Sequence, residues 1–470
     1  VTAPTAASSG PIRPGARTAL LLGLLVLVGF VVRLDAARNL APPVPALGDA
    51  HAYHVLALNL ADGRGYIRPY DWELDGRRVT TAEYPPALPA TLAVAAELGV
   101  RSVDGQRLVL AGIGALTVGL VGLIARRLGG DAAGLLAAAI AAVHPGLWND
   151  DVALMAEALA AFAGAALVLA ALAALDRPGL RRWALLGAVA GLGCLVRSEF
   201  LLAGPVLIAL VAWRTGTAAR GAAPGPIDER AGAGDGPGRW ALRLRALGVG
   251  VGGLVLVLAP WTVRNLAAFG DLVPISNNSG SVSRGANCDA AWHGTFRGLW
   301  VTDVRLGGGP GDPARAGCFS GFAIDDRTDE AEAAARLRSD GLSYVRHHLG
   351  QLPGVMAARV GRTLGLYRLD QQVGFAAAEG RSPTWERRGL RATQLLGLLA
   401  VAALMVAAVR RRDLLLERLV VAVPVVAMLV TVALTYGNPR FRAAAEPAVV
   451  ALAAVAVVEA ATALAARRAR

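Results

Sequence analysis

Lysine is absent from this chain; all 47 basic side chains are arginines. With so much alanine, that reads as the coding bias of a high-GC bacterium. It weakens any inference from the net charge of +12 to nucleic acid, since no basic patch with interleaved aromatics accompanies it. Charge is scarce overall, at 17% of residues, whereas a soluble protein carries about a quarter. The chain has no phosphate-cradling P-loop, no G-x-S-x-G, no H-E-x-x-H and no C-x-x-C. An energy-coupled pump and a soluble nucleotide-sugar enzyme are therefore unsupported. No internal repeat is visible, which argues against transporters built from inverted repeats.

What the chain does contain is apolar and blocked. It is 55% hydrophobic, with runs such as "TALLLGLLVLVGFVV" (18–32) and "LLGLLAVAALMVAAV" (395–409). Runs of this kind suit a bilayer core, which takes about 20 residues of helix. The expected fold class is an all-α polytopic membrane protein with about ten spans. They lie near 17–33, 107–125, 132–148, 152–175, 183–198, 200–213, 246–263, 390–409, 417–436 and 447–466. With both termini inside, the arginines at 13/17, 126/127, 181/182, 214–245, 410–412 and 467–470 all fall on one face, as the positive-inside rule requires. The N-terminal run, lacking a small-residue cleavage site, reads as a retained signal-anchor.

Three regions follow: an N-terminal membrane module (1–263), an extracytoplasmic loop region (264–389) and a C-terminal membrane module (390–470). Within the first, 34–105 is an outer loop and 215–240 is a Gly/Ala/Pro-rich cytoplasmic linker expected to be disordered. Cys194 sits in an apolar run as a small buried residue. Cys288 and Cys318 lie in the largest polar segment, beside "GGGPGDPARAGC" (307–318). On an oxidising side they could close a roughly 30-residue loop, adding about 3 kcal/mol; on a reducing side they stay free thiols.

Charged residues beside apolar runs are the site candidates. "GDAHAYHVLALNLADGRG" (48–65) reads as a short interfacial helix with Asp49 at its N-cap and Gly63 at its stop, too apolar for a free loop. An ionised carboxylate there can accept a proton from an incoming hydroxyl, although a plain capping role explains it equally. His51 and His54 share one face while Asp49 and Tyr53 share another, so a compact metal site is awkward. A second interfacial helix is expected after "YPP" (84–86). "NDDVALMAEAL" (149–159) opens the fourth span with Asp150 and Asp151, and Glu157 is expected about two turns inside the apolar region, where an ionisable group usually faces a cavity. Arg197 and Glu199 occupy an outer join. Arg264, Arg440 and Arg442 also lie outside, against the trend, where guanidinium suits a phosphate or snorkels to headgroups.

In order and topology, "GDAHAY", "YPPALP", "LMAEAL", "APWTVRNLAAFGDLVPISNNSG" (259–280) and "RFRAAAEP" (440–447) resemble the GT-C glycosyltransferases. The nearest likeness is to glycosyltransferase family 39-type bacterial proteins, related to protein O-mannosyltransferases and lipid A aminoarabinose transferase. The resemblance implies a GT-C fold and inverting transfer of a sugar from a polyprenyl-phosphate donor to a cell-envelope glycan, lipid or protein at the outer face of the bacterial cytoplasmic membrane. It implies Asp49 as catalytic base and Arg264 with Arg440 or Arg442, and Arg197 alongside, as donor-phosphate ligands. Tyr53, Glu83, Asp150, Asp151, Glu157 and Glu199 would be accessory groups on the substrate side. Where many relatives start the first motif with two adjacent acids, Ala50 follows Asp49 here, so no cofactor is expected and a divalent metal is not supported. The rival reading is a non-enzymatic flippase or transporter of lipid-linked glycans.

Overall fold

The computed structural model describes residues 15–215, 237–302, 317–319 and 329–470. Arg13, most of the cytoplasmic linker expected at 215–240 and most of the glycine-rich run at 307–318 lie outside the described residues. Among those described, every regular element is helical; one isolated antiparallel bridge joins Ile67 and Thr80.

The chain opens with α1 (Ala16–Asn39), whose Leu20, Leu24, Leu27 and Val31 face outward, as a lipid-contacting surface requires. Its other face packs through small residues: a Cβ on Gly29 would stand 2.9 Å from Val118. Three short helices fill the segment expected as the first outer loop, α2 (Asp49–Ala61), α3 (Pro69–Asp75) and α4 (Ala87–Glu97). Leu56 of α2 and Leu88 and Leu92 of α4 are fully enclosed. The apolar body of α2, expected at the membrane interface, is covered by protein.

Next comes α5 (Val103–Val143), which is two helices joined at Gly130, where φ is 81°. They fold back on each other, because a Cβ on Gly134 would meet Arg126 and the Gly122 carbonyl at 2.6 and 2.8 Å. After α6 (Pro145–Asp151) come α7 (Glu157–Asp176), α8 (Leu180–Val196), α9 (Phe200–Thr215) and α10 (Pro237–Phe269). Helices α8 and α10 touch backbone to backbone through Gly191 and Gly253. The region expected to be extracytoplasmic contributes α11 (Asn278–Ala286), α12 (Asp289–Trp292), α13 (Glu330–His347), α14 (Leu352–Thr363) and α15 (Leu369–Ala378). A small core of Trp292, Phe296, Leu299 and Val355 holds it together, beside a disulfide between Cys288 and Cys318. Last are α16 (Pro383–Arg410), α17 (Arg412–Leu434) and α18 (Glu446–Arg468).

Each expected span falls largely on helix, with 107–125 and 132–148 on the two arms of α5 and the span from 152 starting only at Glu157. Among the described residues, seven helices are long and apolar enough to cross a membrane, the folded-back α5 counting once; α8 and α9, at 17 and 16 residues, fall short of that length.

Charge collects at two places. At one, Thr18 and Arg126 meet Asp131, Arg127 reaches Asp176 (3.1 Å) and Glu417 (3.2 Å), and Arg418 pairs with Glu459. At the other, Arg33 of α1 pairs with Asp151 (2.6 Å), and Arg381 bridges Asp150 (3.2 Å) and Glu386 (3.0 Å). A glycine at 114 makes room for the first of these pairs, since a Cβ there would stand 2.7 Å from Arg33 Nε.

Candidate active site

Helix α2 starts at a glycine because only glycine tolerates the backbone there. Gly48 has φ +124° and ψ 177°, a region closed to residues with a Cβ. The Tyr70 hydroxyl clamps it, accepting from Gly48 N (2.7 Å) and donating to Gly48 O (3.0 Å). Asp49 is consequently the first helical residue and Gly48 the N-cap, a correction to the capping role expected of Asp49. The aspartate stays in the first turn, where the helix dipole favours a negative charge. Its Oδ1 accepts from the Tyr84 hydroxyl (3.0 Å), and its Oδ2 lies 2.8 Å from Arg440 Nη1. One turn on, Tyr53 packs on Tyr84 with ring centroids 4.9 Å apart.

Glu157 also changes place. The apolar run expected to begin at 152 is broken by a turn in which Leu154 has φ +57°, so α7 begins at Glu157 itself. The carboxylate therefore stands at a helix mouth rather than two turns inside a continuous span. It is buried and accepts from Arg197 Nη1 (2.7 Å), which also holds Glu199 (3.1 Å). Arg440 Nε approaches Glu157 to 4.0 Å and Glu379 to 3.8 Å, and its Nη2 donates to the Tyr436 hydroxyl.

These groups surround one cavity of about 680 Å³. Its polar wall holds Asp49, Tyr53, Tyr84, Glu157, Arg197 and Arg440, with Glu199 beside them. Its apolar wall holds Val196, Leu201, Ile275, Leu342, Leu352 and Leu434. Glu157 Oε2, Glu199 Oε1 and Arg440 Nε are buried with no hydrogen-bond partner. Orphaned polar atoms are rare in folded interiors, and three beside one cavity mark a place built for a ligand.

Two further cations line it that sequence reading missed, Arg338 of α13 and Arg359 of α14. Arg338 donates to Ser279 Oγ (2.8 Å). Arg359 is buried and donates to Ala433 O (3.1 Å), Ala286 O (2.7 Å) and Asn287 Oδ1 (2.9 Å); burial pushes its guanidinium down to about 10. Among the described residues neither meets a carboxylate. The signal available was the apolar/polar alternation at helical spacing across 330–363, which marks amphipathic helices in a region otherwise read as loop.

Other expected site residues go elsewhere. Arg264 donates to Thr81 O (2.7 Å) and Tyr66 O (2.9 Å) and lies over the Trp261 ring; it braces α10 against the first outer loop and does not line the cavity. Arg442 is buried, donating to Pro439 O and approaching Glu446 (3.6 Å) and Glu386 (3.7 Å). Asp150 and Asp151 are held by Arg381 and Arg33, as described above. None of these four, expected as phosphate ligands or accessory acids, is part of the cavity lining. Glu83 stands outside the cavity lining; crowding by protein, then Glu330 and Asp49, pushes its carboxyl up to about 7. His51 bonds Glu73 (2.7 Å) and His54 bonds Gln106 (2.8 Å), neither touching Asp49. Among the described residues no three His, Cys, Asp or Glu side chains are grouped to hold a metal ion.

Among solved structures, the chain superposes on the oligosaccharyltransferase of Archaeoglobus fulgidus in its apo form with a TM-score of 0.53, at 14% identity, over 96% of this chain and 51% of that one. The fold is GT-C. The same archaeal enzyme tethered to an acceptor peptide containing the NVT sequon gives a TM-score of 0.50, at 14% identity, over 94% of this chain and 49% of that one. ArnT from Cupriavidus metallidurans in the apo state matches at 19% identity over 94% of this chain and 78% of that one, with a TM-score of 0.38. Residues 83–222 match the dolichyl-phosphate-mannose-protein mannosyltransferase family. No curated protein matches by sequence. The chain spans about half the length of the archaeal enzyme it resembles. At such identities the likeness concerns the fold alone.

Proposed function

We propose that the chain is an inverting glycosyltransferase that moves a sugar from a polyprenyl-phosphate donor to an acceptor hydroxyl at the outer face of the bacterial cytoplasmic membrane, with both termini inside. The observation that carries this reading is the cavity itself. It joins an apolar wall suited to a lipid chain to a polar wall where a helix-start carboxylate and several guanidiniums converge.

In this reading Asp49 takes the proton of the acceptor hydroxyl, whose oxygen attacks the anomeric carbon of the donor sugar. The bond from that carbon to the phosphate oxygen breaks on the opposite face. Its electron pair leaves with the polyprenyl phosphate, and the configuration inverts. The phosphate gains charge as it leaves, and guanidiniums already fixed in place lower the barrier by meeting that charge. Arg338 and Arg359, which have no carboxylate partner among the described residues, and Arg440, whose Nε is unsatisfied, are the groups assigned to it. Arg197 is already held by two carboxylates and acts by fixing Glu157. The match of 83–222 to a family described by dolichyl-phosphate mannose supports a lipid-phosphate donor.

The test is Asp49→Asn in membranes supplied with polyprenyl-phosphate sugars. Transfer is expected to vanish while expression and thermal stability persist, since asparagine still accepts from Tyr84. Full activity in that variant overturns the assignment.

A further inference from the structure

A second cavity, of about 390 Å³, opens in the outer region, away from the polar wall that holds Asp49. Trp292, His293, Arg297, Gln351, Gly354 and Tyr367 line it. Its size suits a ligand of about one or two sugar rings.

The electrostatics of this place are one-sided. Arg297 Nε is buried and unpartnered, and among the described residues no carboxylate pairs with its guanidinium. Tyr367 lies between two more arginines, Arg362 at 5.2 Å and Arg368 at 5.5 Å from its ring centroid. Arg362 is satisfied only by neutral groups, the carbonyls of Arg297 and Thr295 and the side chain of Gln371. Arg368 bonds the Tyr367 hydroxyl and the Gly294 carbonyl. Among the described residues, Asp289 lies 3.9 Å from His293 Nδ1 and already accepts from Tyr344. By contrast, Arg33, Arg197, Arg381 and Arg440 each hold an acid. Among the described residues, Arg297 in the lining and Arg362 and Arg368 beside Tyr367 have no carboxylate partner, which describes a site for an anion.

The remaining lining narrows the class of anion. Gln351 gives Oε1 to His293 Nε2 (2.6 Å), which leaves its amide N–H groups for a ligand. Trp292 is fixed by Tyr344 and His348 packed against its ring, and Tyr367 offers a second aromatic surface. Aromatic surfaces, amide donors and a guanidinium together suit the apolar face, the hydroxyls and the charge of an acidic sugar. Gly354 matters to the geometry, because its missing Cβ is what lets the Arg297 guanidinium lie flush against α14.

We propose that this outer cavity binds a hexose-sized saccharide unit carrying one anionic group, a carboxylate or a phosphate, with Arg297 as the residue that reads the charge. Treating that unit as part of the acceptor rests on the transferase reading; the binding itself does not.

The test titrates methyl glucuronide, glucose 6-phosphate and methyl glucoside into the purified full chain in detergent, read by calorimetry or ligand-observed NMR. One or both anionic sugars should bind, the glucuronide alone marking a carboxylate and the phosphate alone a phosphorylated unit. Each should be preferred about tenfold or more over the neutral glucoside, and binding should weaken with salt. Arg297→Gln should remove the preference and Arg297→Lys should keep part of it. Gly354→Ala, which changes no charge, should also weaken binding by displacing the guanidinium, with the melting temperature of each variant verifying its fold. Asp49→Asn should bind as the parent does, so failure of the catalytic reading leaves this one standing. Equal binding of neutral and anionic sugars, no binding of any, or an Arg297→Gln variant that keeps the preference overturns the proposal.

Discussion

Arg440 Nη1 lies 2.8 Å from Asp49 Oδ2, joining residues 391 positions apart across the mouth of the larger cavity. The pair keeps a carboxylate and a guanidinium side by side while each retains further contacts, Asp49 with Tyr84 and Arg440 with Tyr436. In the proposed reaction these are the carboxylate that takes the proton and a guanidinium that meets the departing phosphate. Arg440→Gln is expected to lower kcat by about a hundredfold or more, the scale of losing one preorganised electrostatic contact, and Arg440→Lys to recover part of it. Transfer rates in membranes measure this; a loss smaller than threefold, roughly 0.7 kcal/mol, would remove Arg440 from the chemistry.

Gly48 sets where that aspartate points. An alanine at φ +124° is strained by about 1–3 kcal/mol, and relaxation of the turn would shift the first residues of α2. Gly48→Ala should therefore lower both the melting temperature and kcat. A variant with parental stability and rate would show that the turn does not position Asp49.

Arg33 and Asp151 form an almost fully enclosed pair between α1 and the end of α6. Removing one partner strands the other. Arg33→Met should cost about 3–5 kcal/mol in stability, whereas the double variant Arg33→Met/Asp151→Leu should regain most of it, because apolar groups replace both charges. Thermal unfolding in detergent distinguishes the two; equal destabilisation would mean that the pair is held by more than its charges.

Glu83 supplies a pH dependence. Its carboxyl is pushed up to about 7 in the folded chain from an ordinary 4.5. Between those values the folded state holds more protons than the unfolded one, so this group's contribution to stability falls as pH rises from about 4.5 to 7 and levels off above. The side chain has an open face, and solvent screening keeps the effect modest. Melting curves of the parent from pH 5 to 8 should show this decline, and Glu83→Gln should flatten it. An unchanged profile in the variant would assign the slope to other groups.

Much of the architecture was open to sequence reading because hydropathy and helical spacing are local properties. The apolar runs, the glycine stop after α2 and the fold-back of α5 could all be placed from neighbouring residues. Arg126 and Arg127 fall with the other arginines at the ends of apolar runs, because charge there already orders the ends of a bundle. The prospect of a Cys288–Cys318 bridge likewise followed from two cysteines in one polar segment.

Partnership is what the tertiary structure decided. Outer arginines at 197, 264, 440 and 442 look alike in sequence, but only Arg197 and Arg440 line the cavity. Arg264 donates to the carbonyls of Thr81 and Tyr66, and Arg442 donates its Nε to the Pro439 carbonyl with Glu446 and Glu386 close by. Asp150 and Asp151 adjoin each other in the chain yet face different cations, Arg381 and Arg33. Arg359 was invisible because its exposure and partners depend on helices packed from three separate stretches. The sequence by itself determined which residues carry charge at the edge of the apolar bundle. Only packing settled which of those charges are neutralised and which still face an open cavity, because a buried ion's partner is chosen by proximity in space and not along the chain.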